Sequence, residues 1–116
     1  MTPKRIQRKR TAGWKQPPNT RYCGRGTKYG NTHVIKKMPI YWMVEIAPNH
    51  PSVRVTHTLK EAHQVARDFY AEDMKRILEK APNFYDDLRK YTHLSCFCPL
   101  DMPCHLDPII EYLEAQ

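Results

Sequence analysis

The chain has 116 residues, enough for one domain of the usual ~100–150 residues and too few for two. Its net charge of +7 is unevenly placed: residues 1–44 hold 11 Lys/Arg and no Asp/Glu, whereas residues 45–116 hold 8 Lys/Arg against 12 Asp/Glu. No apolar run approaches the roughly 18–20 residues of a membrane-spanning helix. The opening MTPKRIQRKR lacks the apolar stretch of a secretory signal, so a cytoplasmic protein with no membrane partner is expected.

In chain order, Pro3–Thr11 alternates charge with little apolar content, and only Ile6 is suited to a core. It reads either as a short edge strand or as part of a flexible basic arm over residues 1–20. Gly13, Trp14 and the Pro17-Pro18 pair mark a loop. Arg21–Cys23 is a candidate strand that feeds Gly24–Asn31, a loop with three glycines in seven residues. The run Ile40–Ile46, bounded by Pro39 and Pro48, is rich in β-favouring side chains, and Val53–Thr56 extends or pairs with it.

Thr58 and Glu61 have capping-box spacing, and Ala62, Val65, Ala66, Phe69, Ile77 and Leu78 recur at helical intervals, which predicts a helix over about 59–80. Pro82 ends it and opens a short second helix through Tyr91, with Phe84, Tyr85 and Leu88 inward. Thr92–Cys98 is a predicted strand. Pro108–Ala115 is a terminal helix with Asp107 as N-cap and Ile109, Ile110 and Leu113 inward. This order predicts a small single α/β domain over 1–116, with a short, mostly central sheet flanked by helices.

Cys96, Cys98, Cys104 and His105 fall within ten residues. Thiolates and imidazole are the donors zinc selects, and these four are the candidate metal ligands. The spacing departs from the C-x-x-C of a knuckle, and the adjacent Cys104 and His105 are hard to aim at one ion, which brings Cys23 in as a further donor. Two other readings stand beside it. Cys96 and Cys98 alternate on a strand as small hydrophobes, or the segment lies at the crevice beyond a strand's carboxyl end, where open α/β sheets hold ligands. In the last case Cys104 or His105, beside a helix N-terminus, is a candidate nucleophile or acid–base group, with Asp107 either orienting His105 or capping the helix.

The Gly24–Asn31 loop interleaves glycines with Arg25 and Lys28, a composition suited to phosphate and equally to a plain turn. It is neither a Walker loop nor G-x-G-x-x-G. Arg21, Trp14, Tyr22, Tyr29 and His33 add charge and stackable rings nearby, the combination a nucleobase-and-phosphate ligand requires. The candidate ligand-binding residues are Arg25, Lys28, Gly30, Asn31, Arg21 and Trp14.

The segments Arg5–Trp14 (RIQRKRTAGW), Tyr22–Asn31 (YCGRGTKYGN) and Leu94–Asp107 (LSCFCPLDMPCHLD) together resemble a small domain-of-unknown-function family widespread in phages and bacteria. That family reads approximately R-R-T-x-G-W, V-G-R-P-S-x-W-G-N-P-F and L-x-C-W-C-x-L-x-x-P-C-H-x-D, in the same order along the whole chain. The resemblance implies a compact α/β protein of a phage or bacterium, in the host cytoplasm if phage-encoded, and points to Arg25, Gly30, Asn31, Cys96, Cys98, Cys104, His105 and Asp107. Here Tyr29 and Phe97 replace tryptophans and Thr32-His33 replaces Pro-Phe.

Motifs at both ends of the chain predict that the ends converge on one pocket. The leading functional expectation is a nucleotide- or nucleic-acid-binding protein acting on a nucleoside or base, with N-glycosidic chemistry at His105, Cys104 and Asp107. The alternatives are a zinc-stabilised nucleic-acid-binding module without catalysis, and a phage inhibitor or sponge of a host nucleotide or host protein.

Overall fold

The computed structural model describes residues 2–46 and 52–115. Pro48, the expected stop of the Ile40–Ile46 strand, lies outside the described residues. Strands β1 (Lys4–Gln7) and β2 (Thr20–Tyr22) are too short to hold together alone, and they do not pair with each other. Each instead lies parallel to β6 (His93–Cys96), which forms the middle of a three-stranded sheet, with Ile6 and Tyr22 both level with Ser95. The N-terminal segment that reads as either strand or arm is therefore a strand between residues 4 and 7.

Alternation along β6 sets its two faces. Leu94 and Cys96 enter the main core with Leu88, Leu106, Ile109 and Leu113. Ser95, also fully buried, donates to Gln16 Oε1 at 2.9 Å, and Gln16 Nε2 in turn donates to the Thr20 carbonyl.

A second sheet is an antiparallel meander of β3 (Ile35–Lys37), β4 (Trp42–Glu45) and β5 (Val53–Thr56). The α/β class holds, with the strands divided between two sheets of three. Helix α1 (Leu59–Lys80) joins them. Its bounds are those predicted, and its start is fixed by the expected capping box, with Thr58 Oγ1 accepting from the Glu61 amide and Glu61 accepting from the Thr58 amide. The buried stripe of α1 is Ala62, Ala66, Tyr70 and Met74. The two alanines let Val44 of the meander approach closely, while Tyr70 and Met74 belong to the main core, so one helix serves two cores. Tyr70 Oη donates to the Tyr29 carbonyl at 3.1 Å and lies 3.0 Å from Tyr85 Oη, tying the glycine loop to the helix.

The expected helix after Pro82 is a 3-10 turn, Asp86–Lys90, because the stretch between Tyr85 and Tyr91 is too short to sustain an α-helical nucleus. Helix α2 (Leu106–Glu114) begins two residues before Pro108, with His105 at the N-cap. Asp107 is therefore not the N-cap. It sits in the first turn, and its Oδ2 accepts from the Cys104 amide at 3.0 Å.

Arg5 fastens β1 to the turn that precedes α2. Its guanidinium reaches Asp107 Oδ1 at 3.1 Å, the Pro99 carbonyl at 2.5 Å and the Met102 carbonyl at 2.8 Å, with its side chain only 12% exposed. Replacing it strands two carbonyls and removes one of the two cations beside the Asp107 carboxylate. Arg5→Met is expected to lower unfolding free energy by about 2 kcal/mol in urea titrations. A loss below about 0.5 kcal/mol, typical of an uninvolved surface position, would contradict this role.

Candidate functional site

Parallel strands all end at one edge of their sheet, so three chain segments emerge side by side there. Beyond β1 come Arg8 and Arg10, beyond β2 come Cys23, Gly24 and Arg25, and beyond β6 come Phe97 and Cys98. Between this edge, the N-terminus of α2 and one flank of α1 lies a cavity of about 240 Å³. Its lining includes Arg10, Tyr22, Gly24 and Arg25 from the N-terminal side, Cys96, Phe97, Cys98, Cys104 and His105 from the C-terminal side, and Asn31 and His33 from the end of the glycine loop. Helix α1 adds His63, Ala66 and Arg67, which share a face through i, i+3 and i, i+4 spacing. The two ends of the chain thus meet in one crevice, at the carboxyl end of a parallel sheet where ligands of α/β folds sit.

At one side of the cavity the Sγ atoms of Cys96, Cys98 and Cys104 all lie within 4.8 Å of one another, with Cys96 and Cys104 at 3.0 Å. All are free thiols, and the group has the donors and the spacing to hold a metal ion. Cys98, the half-buried member, accepts from Cys104 and Cys96, and these bonds hold its thiol far below the ordinary range. Donation to Cys96 and Cys98, with burial, pushes Cys104 up. For Cys96 the bond from Cys104 pulls down, but the bond to Cys98 and burial outweigh it and raise the thiol to about 12.

His105 stands behind Cys104. Its Nε2 donates to the Cys23 carbonyl at 2.7 Å, which leaves Nδ1 unprotonated and facing Cys104 Sγ at 3.6 Å. Burial lowers the ring's pKa and keeps it neutral. Asp107 does not orient it: the carboxylate is held by Arg5, Arg67 and the Cys104 amide. Cys23 is fully buried, its Sγ donates to the Arg21 carbonyl, and burial pushes its thiol up to about 12.

In the glycine loop, Gly24 and Gly30 are needed for close approach rather than for anion contact. A Cβ on Gly30 would stand 2.5 Å from the Gly24 carbonyl oxygen, and one on Gly24 would strike the Tyr22 ring. Asn31 donates from Nδ2 to the Ala66 carbonyl and accepts the His33 amide, each at 2.9 Å, so its amide fixes the loop to α1. His33 is buried between two acceptors, with Nδ1 2.9 Å from the Glu45 carbonyl and Nε2 2.6 Å from Asp73 Oδ2.

Of the residues expected at the site, Arg25, Asn31, Cys96, Cys98, Cys104 and His105 come together in the cavity. Gly30 lines a second, more open cavity of about 230 Å³ that shares Arg25 and Asn31 with the first. Lys28 lies over the Tyr29 and Phe84 rings and Arg21 over Tyr29, so both stack on the core rather than face the cavity. Trp14 and Asp107 line neither cavity. His63 and Arg67 are cavity residues that the sequence did not single out. Their one signal is the i, i+4 pair of polar side chains flanking the apolar stripe of a strongly periodic helix. At the cavity mouth, Arg10 lies 4.2 Å from the Phe97 ring centroid and Arg8 4.7 Å from that of Tyr22, a rim of stacked guanidinium groups and rings.

Fold and site define a small α/β domain with a cationic, thiol-bearing crevice at the carboxyl edge of its parallel sheet. The chain belongs to the family described as domain of unknown function DUF4326, whose model matches residues 6–115. No curated protein and no solved structure matches it. Among the described residues, no helix is long and apolar enough to cross a membrane.

The thiol order has a direct chemical readout. With chelator present, brief iodoacetamide treatment followed by peptide mass mapping is expected to label Cys98 well before Cys23, since the thiolate is the nucleophile and Cys23 is fully buried with its thiol pushed up. Equal labelling of Cys98 and Cys23 in the folded protein would contradict the assignment.

Proposed function

We propose that this domain binds a mononucleotide unit in the crevice, phosphate toward the arginines and base toward the rings, beside a zinc ion held by Cys96, Cys98 and Cys104. The observation that carries the reading is the composition of the cavity lining: three guanidinium groups, from Arg10, Arg25 and Arg67, together with the Tyr22 and Phe97 rings, and no carboxylate among the described lining residues. Guanidinium forks match phosphate oxygens, and every base has a π-face to stack. At about 240 Å³ the cavity suits one nucleotide rather than a dinucleotide cofactor. Two departures from the family pattern fall in this lining, Phe97 in place of a tryptophan and His33 in place of a phenylalanine.

Zinc fits the donor set. A tetrahedral ion with Zn–S bonds of about 2.3 Å needs sulfurs about 3.8 Å apart, within the span these three already occupy. When bound, the ion would convert all three thiols to thiolates and stiffen the turn between β6 and α2.

The reading favours binding over N-glycosidic turnover. His105 has Nε2 engaged by a carbonyl and Nδ1 turned to Cys104, and Asp107 is engaged elsewhere, so the expected His105, Cys104 and Asp107 constellation has no free acid–base partner for a ligand.

Isothermal titration of the zinc-loaded protein with AMP, GMP, CMP and UMP tests the reading. At least one is expected to bind, with affinity falling as salt rises. Arg25→Ala should weaken it roughly tenfold to a hundredfold, the worth of a charge-assisted phosphate contact. Binding of none of the four, or binding indifferent to Arg25→Ala, would overturn it.

A further inference from the structure

We infer that His63 of α1 is the fourth ligand of the metal site, completing a closed Cys₃His set with Cys96, Cys98 and Cys104. The inference rests on the zinc reading above and goes beyond it by choosing His63 over three rivals for the fourth position.

The sulfurs come from the end of β6 and from the turn into α2, so all three approach the ion from the sheet side of the crevice. A tetrahedral ion needs a further donor from the opposite wall. That wall is the His63, Ala66 and Arg67 face of α1, in which His63 alone offers a metal-binding atom. Its ring lies beside Cys98, the half-buried sulfur of the cluster, in the lining of the same cavity.

The rivals are engaged elsewhere. His105 follows Cys104 directly in the chain, its Nε2 is held by the Cys23 carbonyl, and its Nδ1 points at a sulfur rather than between sulfurs. Cys23 directs its thiol to the Arg21 carbonyl. Asp107 is held by two arginines and an amide. His105 thus supports Cys104 from behind, as outer partners of metal ligands commonly do.

The set has a structural consequence. β6, the turn before α2 and α1 are separate stretches of chain, and an ion bound by all of them is a cross-link across the crevice. Arg67 lies one turn beyond His63, so the same cross-link sets the position of a cavity guanidinium.

Cobalt(II) titration of the chelator-treated full-length protein, followed by absorption spectroscopy, tests the assignment alongside zinc stoichiometry from native mass spectrometry. Wild type is expected to take one zinc and to show thiolate-to-cobalt charge transfer together with the intense visible bands of a tetrahedral site. His63→Ala should keep the charge transfer, change the visible bands, and weaken metal affinity at least tenfold. His63→Cys should restore a tetrahedral spectrum with stronger charge transfer. His105→Ala should leave the tetrahedral bands in place. Unchanged bands and affinity in His63→Ala, or loss of the tetrahedral bands in His105→Ala, would overturn the choice of His63 while leaving the zinc reading intact. A wild-type protein that takes up neither metal would overturn the zinc reading itself.

Discussion

Among the described residues, neither N-terminal strand has a sheet partner other than β6, and that constraint organises the molecule. β1 and β2 offer four and three residues of ladder, and the strand they need begins at His93, after the meander and α1 have been made. Closing so long a loop costs entropy that a few parallel hydrogen bonds do not offset. The difference comes from burial of Leu94 and Cys96 against α1 and α2, and from the Arg5 guanidinium gripping the turn beyond β6. Because the pairing is parallel, it also forces three loops out at one edge. The crevice is a consequence of the topology before any ligand is considered.

The charge asymmetry acquires a location in the same way. Acidic residues of the C-terminal part are largely spent on neighbours: Asp73 on His33 and Arg76, Asp87 on Lys90, Glu72 on Lys75, and Asp107 on Arg5 and Arg67. The basic half instead carries Arg8, Arg10 and Arg25 past the ends of its two strands to the crevice mouth. Excess positive charge is thereby concentrated where helix α2 also presents its N-terminus, which adds the same sign of partial charge.

The sequence made some of this legible because the relevant signals are local. The capping box at Thr58 and the spacing of Ala62 and Ala66 specify α1 to its end residues, and the cysteine pattern marks a three-sulfur cluster without reference to the fold. β3 was invisible because Ile35-Lys36-Lys37 has one apolar side chain, and its pairing with β4 comes from the turn at Met38–Tyr41. The start of α2 was misplaced because Asp107 satisfies an amide from within the first turn instead of from the cap. Asn31, read as a ligand contact, is held by α1, a partner 35 residues away that no local pattern announces. His63 and Arg67 were hidden for the same reason: a helix's periodicity says which face is buried but not which flank borders a cavity made by distant strands.

The central claim is that both ends of the chain build one crevice in which an ion and an anionic ligand are neighbours. A crystal structure of protein purified without chelator and grown with a nucleoside monophosphate, with diffraction measured across the zinc absorption edge, tests it in one experiment. The account predicts a single anomalous peak bonded to the sulfurs of Cys96, Cys98 and Cys104, with phosphate density against Arg25 in the same cavity. A Cys96–Cys104 disulfide with no anomalous peak, or a nucleotide bound away from the carboxyl edge of the parallel sheet, would contradict it.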